Sequence, residues 1–158
     1  GKKHGLESIF LDPKSFSSRD DYEKQMIELL QTKSIDLVCL AGFMRILGKK
    51  FIEAFSGKII NIHPSLLPAF PGLNVQEKAL QHGVRFSGCT VHFVNEEVDG
   101  GAIISQAVVP ILDADDTQSL SDRILEQEHI IYPEAIRLII EDRLELSGRR
   151  VVRKTREN

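Results

Sequence analysis

Long apolar runs, a strong net charge and paired cysteines are all missing from this 158-residue sequence, and each gap removes a class of function. No stretch approaches the roughly 20 apolar residues that a bilayer span needs. The first residues, Gly1-Lys2-Lys3-His4-Gly5, show none of the apolar core of a signal peptide. A net charge of −3 gives no reason to expect nucleic acid or a membrane surface as a partner. Only Cys39 and Cys89 carry thiols. Both lie in apolar strand-like runs without a Cys-x-x-Cys pattern, so they read as reduced core thiols and point to a cytoplasmic location. Histidines at 4, 63, 82, 92 and 129 show neither His-x-His nor His-Glu-x-x-His spacing, so no metal site is expected. Ser65 has no Gly-x-Ser-x-Gly elbow around it, and no other nucleophile stands out. Repeats and low-complexity segments are also absent. One local charge cluster remains, made of Arg149, Arg150, Arg153, Lys154 and Arg156. It reads as a solvated terminal strand or frayed end rather than a nucleic-acid arm.

What is present fits one α/β domain. The chain is 42% hydrophobic and 27% charged, as soluble globular domains are, and is long enough to bury a single core. Residues 8–11 read as a strand closed by Asp12-Pro13. Residues 18–33 open with Ser-Arg-Asp-Asp, a cap and acids that suit a helix start, and carry Tyr22, Met26, Leu29 and Leu30 at helical spacing. The near-continuous apolar run 35–42 predicts a strand buried on both faces, hence a parallel sheet covered by helices. A helix at 49–55, a strand at 58–62 and a helix from Asn74 to His82-Gly83 follow. Strands at 87–94 and 102–109 are joined by a short glycine-ended loop that permits an antiparallel pair. A long helix from about 119 to 143 contains Pro133, which should kink or divide it. The expected fold is three-layer α/β, with a mostly parallel, mixed, twisted sheet and helices on both faces.

The chemistry concentrates where a strand ends. Lys58-Ile59-Ile60 leads into Asn61-Ile62-His63-Pro64, and proline stops the strand because it lacks a ladder N–H. Residues i and i+2 of a strand share a face, so an amide and an imidazole converge on one volume. In open α/β sheets ligands bind outside the carboxyl ends of the strands. Asp99 follows in Val98-Asp99-Gly100-Gly101. An amide can steady a developing oxyanion, a histidine can exchange protons near neutral pH, and a carboxylate favours imidazolium. With no nucleophile or metal, the set favours direct acyl transfer between two bound substrates, the acyl group left unidentified by spacing alone.

A second polar residue stands out on the last helix. Leu120, Ile124, Ile131, Ala135 and Leu138 form an apolar stripe whose gap is filled by Glu128. A carboxylate there is costly unless paired. It is either a rim residue reaching water or a local arginine, or a group facing a substrate's ammonium or hydroxyls. Its neighbours Gln127 and His129 point away from the stripe.

Four strings occur in order: Leu40-Ala41-Gly42-Phe43-Met44-Arg45-Ile46-Leu47, Asn61-Ile62-His63-Pro64-Ser65-Leu66-Leu67-Pro68, Val91-His92-Phe93-Val94 and Gln127-Glu128-His129-x-x-Tyr132-Pro133. Together they resemble the phosphoribosylglycinamide formyltransferase family, folate-dependent one-carbon transferases of purine biosynthesis, over residues 11–143. Phe70-Pro71-Gly72-Leu73 resembles that branch rather than the tRNA-formylating or hydrolase branches. The resemblance implies formyl transfer from 10-formyltetrahydrofolate, as co-substrate, to the amine of glycinamide ribonucleotide. Hydrolysis of the same donor is the alternative, and a folate-binding fragment without turnover is another.

By motif position, the resemblance makes Asn61, His63 and Asp99 the catalytic trio. Met44, Arg45, Ile46 and Leu47, with Asn95, Glu96, Glu97, Val98 and Asp99, would form the pterin cleft, largely through backbone groups. Arg19 would sit near the carboxylate tail of the folate, and Glu128 would contact the glycinamide nucleotide. Leu125 departs from the polar residue expected one turn earlier. The resemblance also implies small-molecule partners, no metal, and a monomer or weak homodimer. Family members begin with a strand and a glycine/serine-rich phosphate loop that do not occur in this sequence. The expectation is therefore an N-terminally incomplete formyltransferase domain that keeps its folate cleft and catalytic residues but binds the nucleotide poorly.

Overall fold

A computed structural model describes residues 2–154; Gly1 and residues 155–158, which include Arg156 of the basic cluster, lie outside that span. Among the described residues six strands form one sheet in the order β1-β2-β3-β4-β6-β5. They are β1 (Val38–Leu40), β2 (Ile59–His63), β3 (Phe86–Phe93), β4 (Ile103–Pro110), β5 (Leu144–Ser147) and β6 (Arg150–Arg153). The helices are α1 (Arg19–Thr32), α2 (Lys49–Ala54), α3 (Val75–His82) and α4 (Thr117–Ile140). β1 pairs parallel with β2, and β4 parallel with β6, while β2–β3, β3–β4 and β5–β6 are antiparallel. The sheet is mixed, as the short 95–101 link implied. Its balance lies towards antiparallel, not mostly parallel as expected, because β3 pairs antiparallel with both of its neighbours. None of the described helices is long and apolar enough to cross a membrane.

Each face of the sheet has its own apolar layer. Ile60, Ile62, Cys89, Val91 and Val109 pack with Leu120, Ile124, Ile131 and Ala135 of α4. Ile59 joins Leu47, Phe51 and Phe55 on the opposite face, with Met26, Ile27 and Leu30 of α1 packed around them. Period-2 strands and a period-3.6 helix meet through these side chains, which gives the expected three layers. The α4 stripe is buried at all five positions read from the sequence. The helix starts at Thr117, because Asp116 accepts from the Ser119 N–H (2.8 Å) and the Ser119 hydroxyl accepts from the Asp116 N–H (3.0 Å). It runs past Pro133 undivided.

Several expectations are corrected. Residues 8–11 form no strand; Ile9 and Phe10 are exposed and pair with no neighbour in the sheet. β1 is only three residues long and stands at the sheet edge, so Cys39 is exposed and only Cys89 is a core thiol. Burial pushes the Cys89 thiol up to about 12. Asn74 precedes α3 in a left-handed conformation (φ 57°) and its side chain makes no capping bond. Of the two forms expected for the basic cluster, residues 150–153 take the strand: β6 pairs with both β4 and β5, and the Arg149 guanidinium donates to the Gly100 carbonyl at 3.0 Å.

Candidate active site

On β2, Ile59, Asn61 and His63 face one side, and Ile60 and Ile62 the other. Antiparallel pairing with β3 sets His92 opposite Asn61 and Thr90 opposite His63. β4 then sets Gln106 opposite Thr90. Directly opposed residues share a face, so one side of the sheet changes from apolar at Ile59 to a polar strip made of Asn61, His63, Thr90, His92 and Gln106. The loop after β2 folds over this strip. Thr90 Oγ donates to the Ser65 carbonyl (2.7 Å) and accepts from the Leu67 N–H (3.0 Å) and the Gln106 amide (2.9 Å). The Gln106 amide also donates to the Leu67 carbonyl at 2.9 Å. These bonds lock residues 65–67, and with them the backbone that leaves His63.

Asp99 reaches the strip from the β3–β4 loop. Its Oδ2 lies 3.5 Å from His63 Nδ1 and its Oδ1 lies 3.7 Å from His92 Nε2, so one carboxylate faces two imidazoles. Oδ2 also accepts from the Gly72 N–H at 2.8 Å. Asp99 itself is left-handed (φ 52°), a strained conformation for a residue with a Cβ. Of the two glycines after it, Gly101 is dictated by space, since a Cβ there would run into the Phe93 carbonyl, whereas one on Gly100 would meet only the movable Glu97 side chain. Asn95 Oδ1 accepts from the Glu97 N–H (3.1 Å), an Asx turn that shapes the rest of the loop. His63 Nε2 lies 3.0 Å from the Phe70 carbonyl, which only accepts, so this nitrogen carries a hydrogen. Both nitrogens of His63 thus face oxygen acceptors.

His92 is the residue that the motif reading missed. It is buried, and its Nε2 lies 3.3 Å from the Asn61 amide nitrogen. Desolvation holds its pKa below the ordinary histidine range. Its place in Val91-His92-Phe93-Val94 gave no sign of this; only the strand register brings it opposite Asn61.

Phe43, Arg45 and Ile46 form one wall of a cleft of about 240 Å³ whose other wall is Arg19, Tyr22, Glu23 and Met26 of α1; Met44 and Leu47 do not line it. Met44 and Ile46 are exposed, whereas the Leu47 side chain is buried against α2. The Arg45 guanidinium sits over the Tyr22 ring, 5.6 Å from its centre. Arg19 is already engaged, by Glu23 Oε1 (2.8 Å) and by the Ile46 carbonyl. Among the described residues, no backbone–backbone hydrogen bond ties down residues 43–47, so their N–H groups and, Ile46 apart, their C=O groups remain open to a ligand. Glu96 lies 3.7 Å from Lys49 at the start of α2, and Val98 is exposed.

Glu128 lies on α4, which packs against the opposite face, and no hydrogen bond among the described residues joins it to the trio or to any partner. Burial raises its pKa above the ordinary carboxyl value. Leu125, one turn earlier, is exposed. Among the described residues no group of three or more His, Cys, Asp or Glu side chains could hold a metal ion.

A family model described as formyl transferase matches residues 3–136. A phosphoribosylglycinamide formyltransferase of Haemophilus influenzae is 48% identical over 140 residues, covering 89% of this chain and 66% of its own length. A trifunctional purine biosynthetic protein, adenosine-3, of Drosophila melanogaster is 49% identical over 136 residues, 86% of this chain but 10% of its own length. The chain therefore spans about a tenth of that relative. A crystal structure of glycinamide ribonucleotide transformylase 1 from Symbiobacterium toebii superposes with a TM-score of 0.95 at 51% identity, over 98% of this chain and 73% of that one.

Proposed function

The chain belongs to the formyl transferase family, and from that premise we propose that it moves a formyl group from 10-formyltetrahydrofolate to the amine of glycinamide ribonucleotide in purine biosynthesis. Residues 1–158 would form one formyltransferase domain. The observation that carries the reading is the Asp99 carboxylate set between His63 and His92, with the Asn61 amide held by the same His92. The Asn61 N–H and the His63 Nε2–H donate to the formyl oxygen as the amine nitrogen bonds to the formyl carbon and the carbonyl π pair moves onto oxygen. For His63 this means giving up the Phe70 carbonyl, its present partner. The Asp99 carboxylate accepts the proton shed by the amine and returns it to the folate nitrogen as the carbonyl re-forms and the old C–N bond breaks, while His63 keeps its Nε2–H on the oxygen. No proton, electron or metal is left over.

The open backbone of residues 43–47 and the loop residues Asn95, Glu96, Glu97 and Val98 suit the edge of a flat heterocycle rich in donors and acceptors. The unengaged N–H groups of Arg19 suit a carboxylate at the cleft mouth. Glu128, half-buried and without a hydrogen-bond partner among the described residues, suits the hydroxyls of the nucleotide, away from the reacting amine. We place the protein in the cytoplasm, as a monomer or weak homodimer acting on small molecules.

Formate and formyl-glycinamide ribonucleotide are measured with and without the amine substrate. Transfer that requires the amine, and that falls by orders of magnitude in His63→Ala while folate still binds, is the expected result. Formate release indifferent to the amine would make the protein a hydrolase instead.

A further inference from the structure

Glu23 is a buried carboxylate that the proposed chemistry does not use. Its Oε1 accepts from Arg19 Nε (2.8 Å) and from the Gly48 N–H (2.9 Å), and its Oε2 accepts from the same Gly48 N–H (3.0 Å). Arg19 in turn donates to the Ile46 carbonyl. One acid–base pair on α1 therefore grips the backbone on both sides of Leu47, whose side chain is buried between the grips. The fit is close: a Cβ on Gly48 would run into Glu23 Oε2. Burying a carboxylate costs free energy that hydrogen bonds only offset, and a well-packed apolar residue commonly serves stability as well or better. What the pair supplies instead is fixed geometry in residues 43–47 and at the Gly48 N–H, which no backbone–backbone hydrogen bond among the described residues ties down; the Gly48 carbonyl is held separately, by the Phe51 and Ile52 N–H groups of α2.

We propose that Glu23, acting through Arg19 and the Gly48 amide, is a positioning residue that holds segment 43–48 in the shape that binds the formyl donor, and so sets donor affinity rather than the rate of transfer. The proposal rests on the reading of this cleft as the folate site, and its test has one arm independent of that reading.

In the full-length protein, Glu23→Ala should speed hydrogen exchange of the Gly48 amide, measured by NMR without ligand, by about 10-fold or more. The same variant should raise KM for 10-formyltetrahydrofolate about 10- to 100-fold, as loss of a charged hydrogen bond does, with kcat within about 2-fold. Glu23→Gln keeps an acceptor for Gly48 but not the charge facing Arg19, and should fall between; it carries the test if Glu23→Ala does not fold. Unchanged Gly48 exchange would overturn the grip itself. Faster exchange with unchanged KM, or a fall in kcat alone, would overturn the link to donor affinity. A wild-type protein that neither binds nor uses the donor, with Gly48 exchange still responding to Glu23→Ala, would instead refute the folate reading and keep the grip.

Discussion

The Nε2 of His92 stands 3.3 Å from the Asn61 amide nitrogen, and the Nδ1 of the same ring stands 2.8 Å from the Phe93 carbonyl. A carbonyl only accepts, so Nδ1 carries the hydrogen and a neutral ring must accept at Nε2. His92 therefore turns the NH2 end of Asn61 inward, leaving its second N–H for the reacting oxygen. A protonated ring would break this, because Nε2 would then carry a hydrogen, could no longer accept from the Asn61 NH2, and would turn to Asp99 Oδ1, 3.7 Å away.

This orientation predicts an acid limb. Desolvation is the first cause of the lowered His92 pKa; the Phe93 carbonyl and Asp99 act in the opposite sense, and His63 acts with it. The folded ring binds fewer protons than the unfolded one between its lowered value and about 6.5. Its contribution to stability is thus complete above about pH 6.5 and declines as pH falls through the lowered folded value. In His92→Gln the side-chain carbonyl still accepts from Asn61 but cannot titrate. Urea unfolding at pH 7 and pH 5 should show wild type losing more stability than His92→Gln, and the acid limb of kcat should flatten in the variant. Parallel behaviour of the two proteins would remove His92 from this role.

Glu128 predicts a trade between stability and binding. Its pKa is raised by burial, with His129 opposing weakly. A raised carboxyl favours the folded state fully below its unfolded value, about 4.3, and loses that contribution as pH rises through the folded value. At neutral pH the ionised group is a burden that Glu128→Gln removes. The variant should melt higher than wild type at pH 7, with the gap closing as pH falls towards 4. Meanwhile KM for glycinamide ribonucleotide should rise about 10-fold, as loss of one charged hydrogen bond implies. A variant that melts lower with unchanged KM would make Glu128 a structural residue.

What could be read from the chain depended on how far apart the cause and its effect lie in sequence. The α4 stripe and the shared face of Asn61 and His63 follow from local periodicity, and both are present as read. His92 could not be ranked above four other histidines without the β2–β3 register, which is a long-range fact. The apolar run 35–42 predicts cover on both faces, yet Cys39 within it is exposed at a sheet edge. Coverage depends on neighbours, not on the strand itself. The 144–153 hairpin was hidden by its arginines, although Leu144, Leu146, Val151 and Val152 flank a turn whose Gly148 has a φ of 61°. Alternation and a turn glycine were the available signal. Arg19 was matched to a ligand, while its bonds to Glu23 and Ile46 depend on a fold-level meeting of α1 with residues 46–48.

The two glycines after Asp99 separate a backbone constraint from a side-chain one. At Gly101 the obstacle to a Cβ is the Phe93 carbonyl, part of the β3 backbone one residue beyond His92. Neither chain can yield without opening the start of the β3–β4 ladder, where Phe93 N–H donates to the Ala102 carbonyl at 2.9 Å. At Gly100 the obstacle is the side chain of Glu97, which can swing into solvent. Gly101→Ala should therefore destabilise by about 2–3 kcal/mol, as overpacking against rigid atoms does. It should also lower kcat about 100-fold, because Asp99 and His92 shift relative to each other and small misplacements are costly in a preorganised site. Gly100→Ala should cost under about 1 kcal/mol and leave kcat within a few-fold. Urea midpoints and steady-state rates on both variants decide this, and equal effects at the two positions would mean that the loop is not held by its contact with β3.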